Sequence, residues 1–150
     1  MLLTLAATAA AQGYQMRDED PEEPQDNPDH DGGIYTAVDA WCRDPAAAKA
    51  RYGPIASWDT SGITDMYMLF EGMEDFNEDI SRWNVSNVVN MNLVFFRATS
   101  FTGDLSSWDV GQVKSMTSMF YGATSFTHQL GGAWSTSTAH KREMFYNSPG

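Results

Sequence analysis

From residue 58 onward the apolar positions recur with a fixed step of 25. Trp58, Trp83 and Trp108 keep that step, and so do Met66, Met91 and Met116. Phe70, Phe95, Phe120 and Phe145 form another such column, and Phe76, Phe101 and Phe126 a fourth. Leu69/Val94/Met119/Met144, Ile63/Val88/Val113 and Ile80/Leu105/Leu130 complete the set. Apolar columns in common register mark a tandem repeat, in which one unit cannot cover its own apolar face and must stack on its neighbours.

Within a unit, Val113, Met116, Met119 and Phe120 lie at i, i+3, i+6 and i+7, which predicts one face of a helix of about two turns. Segments 63–70 and 88–95 carry the same spacing. The β-prone segments 80–85 and 105–110 predict a brief strand and turn. The expected fold is therefore α/β, a leucine-rich-repeat-like solenoid of about 3.5 units. Asp59, Asn84 and Asp109 follow the tryptophans, where short polar side chains hold a turn by bonding nearby backbone N–H groups. Ser61 and Ser86 are expected to cap the predicted helices, and Gly62 and Gly111 to ease the turn. Asn84-Val85-Ser86 is also a glycosylation sequon, read here as the repeat's turn.

The ends differ. Residues 34–56 read as a helical N-terminal cap: one short helix through Trp41, then a second started by Asp44 and Pro45 and stopped at Gly53. Trp41, Tyr52 and Cys42 are expected to pack on the first repeat. After Leu130 the sequence displaces its tryptophan to Trp134 and returns to register at Phe145, a degenerate unit. The domain plan is thus 1–11, 12–33, 34–56 and 57–150.

Charge changes the picture mainly upstream. The formal net charge is −11, but residues 16–33 carry −7 of it, with eight acids against Arg17. Three prolines and one sizeable apolar side chain there predict a disordered acidic linker. Asn27, Asp29, Asp31 and Gly32 match the start of a calcium loop. Its twelfth position is Val38 rather than Glu, and Pro28 restricts it, so the linker reading is preferred. Residues 34–150 carry only −4, and the acidic balance argues against a basic nucleic-acid-binding surface and against docking on anionic lipid. Residues 1–11, MLLTLAATAAA, resemble the later part of a secretory signal without its basic start; the alternative is an Ala-rich tail.

The residues 76–86, FNEDISRWNVS, followed by Met91 and Phe95, closely resemble the repeat of BspA-like leucine-rich-repeat surface proteins, a mycoplasma-type domain of unknown function. The segments 37–42, 52–55 and 58–61 look like the version found in algae and other protists. The resemblance covers about residues 36–146. It implies a secreted or surface location and, by analogy with bacterial members, adhesion or host-protein binding. It carries over no catalytic residue.

The chemistry of the chain points away from an enzyme. His30, His128 and His140 have no partner acids at metal-ligand spacing. Asp79 and Asp104 recur in register, which favours a structural role over acid–base catalysis. The lone Cys42 is read as a buried thiol rather than a nucleophile. No metal and no cofactor is expected. The expected function is recognition of a protein or glycan through positions that vary between units. These are Glu78 (with Gly103 and His128 in its column), Arg82 and Ser107, Asn87 and Gln112, and Lys114 opposite Val89. A structural spacer that stacks with further repeats is the alternative, and an enzyme the remote one.

Overall fold

The computed structural model describes residues 33–150. The signal-like segment, the linker up to residue 32 and the calcium-loop match at Asn27, Asp29 and Asp31 lie outside the described residues.

The described chain opens with two helices packed on each other, α1 (Gly33–Arg43) and α2 (Pro45–Tyr52). In α1, Ile34, Ala37, Val38 and Trp41 fall at i, i+3, i+4 and i+7, and all four are buried. Asp44 starts α2 as the residue types predict: its Oδ1 accepts from the N–H of Ala46 and of Ala47, and Pro45 takes the first helical position. Gly53, at φ 78°, ends the helix and donates to the carbonyl of Lys49. A short 3₁₀ turn, Ile55–Ser57, leads into the repeats.

The repeats form a stack of coils, beginning at Trp58, Trp83, Trp108 and Trp134. Among the described residues there is no strand or sheet, and the coils contain a single short helix, α3 (Ala133–Thr136). This overturns the expectation of an α/β leucine-rich-repeat solenoid with a helix and a strand in each unit. Neighbouring coils touch through isolated parallel bridges, Asp65 with Asn90, Asn90 with Ser115, and Ser115 with His140.

The hydrogen bonds show why the predicted helices do not form. In the first coil the N–H groups of Met66, Met68, Phe70 and Gly72 donate outward to the carbonyls of Asn90, Asn92, Val94 and Phe96. The intervening N–H groups of Leu69, Glu71 and Met73 turn back three residues, to Met66, Met68 and Phe70. Half of the donors a helix would use are thus spent on the next coil. Met68, Leu93, Ser118 and Glu143 also have φ between 54° and 61°, as do Gly72, Arg97, Gly122 and Asn147 between 56° and 70°. Two left-handed residues per coil cannot belong to a right-handed helix. The predicted strands are turns as well: Trp83 N–H donates to Ile80 and Val88 N–H to Val85. Apolar spacing of three therefore reports successive turn corners facing inward, a pattern that mimics a helix face.

The core lies along the stack axis. Phe70, Phe95, Phe120 and Phe145 form a pile with centroids 5.3–5.4 Å apart and planes within 6° of parallel. Phe76, Phe101 and Phe126 make a second pile at 6.0–6.1 Å. Within a coil the two piles touch, Phe95 and Phe101 lying 4.2 Å apart. Stacked aromatic pairs of this kind contribute about 0.5–1.5 kcal/mol beyond the area they bury. The Met, Ile/Val and Leu/Val/Met columns fill the remaining interior.

The degenerate fourth coil keeps the geometry with altered residues. Trp134, one residue late, is still buried and its ring stacks on Trp108. Helix α3 absorbs the displacement. Lys141 occupies the place of Met66, Met91 and Met116, and its Nζ donates to the carbonyls of Trp134 and Ser137.

Candidate functional site

The polar repeat positions mostly hold the coils together. Asp59, Asn84 and Asp109 each accept, through Oδ1, the N–H two residues on, at 3.0–3.1 Å. Asp79 and Asp104 do the same for Ser81 and Ser106. Hydrogen bonds from those serines hold both carboxyls below the ordinary carboxylate value. The Asn84 side chain also accepts from Ser86 Oγ. Ser61 and Ser86 have no helix to cap, since turns follow them.

The variable positions divide into two groups. Three of them stitch one coil to the one before. Asn87 Nδ2 donates to the Ser61 carbonyl at 2.8 Å, Ser107 Oγ to the Ser81 carbonyl at 2.8 Å, and His128 Nε2 lies 2.9 Å from the Thr102 carbonyl. Arg82, Gln112 and Lys114 are exposed. Arg82 adds a small electrostatic contribution to the lowered pKa of Asp79. Gly103 lies under the Phe101 ring, where an added Cβ would meet ring carbon Cζ at 2.6 Å. The column Glu78/Gly103/His128 is therefore continuous in register but not in surroundings.

Glu78 belongs to a more developed feature. It lines a groove of about 240 Å³ between the cap and the first coil, together with Trp41, Cys42, Pro45, Met73, Glu74, Asp75, Phe76 and Asn77. A shallower depression continues from it along α2, past Lys49 and Asp79. The floor is aromatic and sulfur-bearing and the rim is acidic. Among the described residues Glu74, Asp75 and Glu78 form no ion pair.

Met73 builds this groove. Coils two and three carry the buried Ala98 and Ala123 at the same position. In the first coil the longer, half-buried Met73 reaches the cap, its Sδ 3.0 Å from Cys42 Sγ. Repeat reasoning alone passes over these residues, but the break in the Ala column is a readable signal of a special contact.

Cys42 is exposed, which corrects the expectation of a buried thiol. Its Sγ is nevertheless partly covered against Met73. That covering first, and then the negative charges of Asp39 and Glu78, push its pKa up to about 11. The thiol is protonated at neutral pH and is a poor nucleophile. Trp41 and Tyr52 pack on the first repeat as expected, both meeting Trp58 edge to face at 5.8 and 6.1 Å. Trp41 Nε1 is buried and has no acceptor among the described residues.

These columns, turns and coil contacts run through residues 44–149, the span matched by a family model described as "Mycoplasma protein of unknown function, DUF285". The chain belongs to the DUF285 family. The match begins at Asp44, the cap of α2, so the DUF285 span includes Met73–Glu78 while Trp41 and Cys42 precede it. No curated protein and no solved structure matches this DUF285 chain.

Proposed function

We propose that this DUF285 chain is a non-enzymatic recognition module, of the BspA-like surface-protein kind in its algal or protist form, secreted or held at a cell surface, that binds a protein or glycan partner. The observation that supports the reading is the groove between cap and first coil. An apolar floor of Trp41, Met73 and Phe76 gives a ligand surface to bury, and Glu74, Asp75 and Glu78 set a negative rim around it. That combination suits a partner presenting a cationic group on an apolar stem, since the rim attracts the charge and the rings accept the stem and its cation. Exposed Arg82, Gln112 and Lys114 extend the available surface along the stack.

The test is retention of ligands on the immobilised chain from a panel of glycans and surface proteins, repeated with Glu78→Lys and Asp75→Lys. Binding that is lost on charge reversal supports the proposal. Failure to retain any ligand, with concentration-dependent oligomers in ultracentrifugation, would favour the structural spacer instead. Turnover of a substrate, abolished by His128→Ala or Cys42→Ala, would overturn the non-enzymatic assignment.

A further inference from the structure

The turn after Trp83 carries a group that holding the coil together does not use. Asn84, Val85 and Ser86 form the single Asn-x-Ser/Thr triplet of the whole chain in which x is not Pro. The fold sorts its three side chains. Val85 is buried and anchors the turn in the core, Asn84 is exposed and Ser86 is half-buried. Asn84 Oδ1 accepts from the Ser86 N–H at 3.1 Å and from Ser86 Oγ at 2.7 Å. A backbone N–H donates only to the amide oxygen, so this bond fixes the orientation of the amide and leaves Nδ2 on the side away from Ser86. Among the described residues Nδ2 has no hydrogen-bond partner.

The turn does not explain why an amide stands at residue 84. In the coils before and after, Asp59 and Asp109 occupy the same position and close the same turn at 3.0 Å through a carboxylate oxygen. Asp79 and Asp104 do so in the neighbouring turns. A carboxylate is the stronger acceptor for such an N–H, so the turn alone is served at least as well by Asp. What Asn adds is Nδ2. In this column the amide and a hydroxyl two residues on occur together in the second coil alone, since Ser61 follows Asp59 and Gly111 follows Asp109.

We propose that Asn84 is the acceptor of an N-linked oligosaccharide. In the transfer, Nδ2 forms a bond to the anomeric carbon of an oligosaccharide carried on a lipid pyrophosphate. The bond from that carbon to the pyrophosphate oxygen breaks, its electron pair leaves with the lipid pyrophosphate, and Nδ2 gives up one proton. The inference rests on the secreted or surface location proposed above, because such donors serve proteins on that route.

The folded coil accommodates the product. The new bond is made at Nδ2, so both hydrogen bonds at Oδ1 survive. The Asn84 carbonyl keeps the hydroxyl of Thr60, which donates to it at 3.0 Å. Arg82 and Asn87 nearby are exposed, so the sugar leaves from a solvent-facing turn. Asn84 lines neither the groove at the cap nor the depression beside it, so the glycan is attached outside both.

The experiment expresses the full chain behind a supplied secretory signal in eukaryotic cells, fused to a reporter domain that carries one sequon of its own. The reporter glycan records that a molecule has met the transferase. Intact mass reads the number of glycans. Peptide-N-glycosidase digestion in heavy-oxygen water, which converts a glycosylated Asn to labelled Asp, reads residue 84. Most molecules with the reporter glycan are expected to carry a second one at Asn84. Asn84→Asp, which keeps the carboxylate turn of the neighbouring coils, is expected to fold and to lose it, and Ser86→Thr to retain it. Molecules that carry the reporter glycan with residue 84 bare would overturn the proposal. Antibody labelling of intact source cells reads the location separately: a protein found only in the cytosol, together with a glycan at Asn84 in the fusion, would overturn the location and uphold the acceptor.

Discussion

The indole Nε1 of Trp108 donates to the carbonyl of Ile80, 3.1 Å away and 28 residues back along the chain. Trp83 makes the same bond to Ile55 and Trp134 to Leu105, at 2.9 and 3.0 Å. The tryptophan column therefore bonds coil to coil as well as filling the core. Trp41, which meets Trp58 at the head of the column, has no such acceptor among the described residues. Trp108→Phe is expected to cost about 0.5–1.5 kcal/mol more than Trp41→Phe, because only the former loses a buried hydrogen bond, while the Ile80 carbonyl keeps the N–H of Trp83. Urea unfolding of the two variants, followed by near-ultraviolet circular dichroism, measures the difference; equal losses would contradict this account.

Position along the aromatic pile should set the cost of truncation. Phe95 is fully buried between Phe70 and Phe120, whereas Phe145 has a neighbour of the pile on one side. Phe95→Ala is expected to destabilise by about 3–5 kcal/mol, and Phe145→Ala by less than half as much. Since a stack can lose an end before its middle, the comparison should use separate probes for the cap and the fourth coil.

Backbone handedness gives a sharper test. Gly122 has φ 70°, and an added Cβ would lie 3.3 Å from Arg97 Cγ; Gly131 has open space around it and no left-handed angle. Gly122→Ala is expected to cost about 1–2 kcal/mol, while Gly131→Ala is neutral or slightly stabilising. A thermal shift in the same direction for both would show that φ is not the controlling factor.

The raised pKa of Cys42 predicts alkylation that is slow at pH 8 and accelerates toward pH 11. Asp39→Asn with Glu78→Gln should move that profile to lower pH. The sign for stability follows from proton binding: between the ordinary thiol value of 9.0 and about 11, the unfolded chain releases a proton that the folded chain keeps. This group therefore makes stability fall as pH rises through that window, and Cys42→Ser should remove the dependence. A stability that rises across it would contradict the assignment.

Much of the cap and of the core was legible in residue types. Asp44, Pro45 and Gly53 act locally, through a side-chain oxygen, a fixed φ and a missing Cβ, so their roles survive in any surroundings. The Met and Trp columns are buried as their recurrence implied, and so are the Phe columns except for half-buried Phe145. The apolar spacing at Ile63, Met66, Leu69 and Phe70 misled, because turn corners three residues apart resemble a helix face. What separates them is the direction of alternate N–H groups, and no side chain encodes that visibly: Met68, Leu93, Ser118 and Glu143 are unremarkable residues placed at φ near 60° by the coils on either side.

The candidate surface divides along the same line. The positions that vary between coils could be named from sequence, yet Asn87, Ser107 and His128 turned out to contact carbonyls of the preceding coil. The groove escaped because it joins Trp41 and Cys42 to Met73 and Glu78 across more than thirty residues, a proximity that only the docking of the cap creates. By itself, the sequence determined that the chain repeats, which residues lie inside and where the second cap helix starts and stops, since burial and capping follow from residue chemistry. The tertiary structure decided the conformation of each unit. A segment of two turns is too short to hold a helix unaided, and twelve hydrogen bonds to neighbouring coils outweigh its local preference.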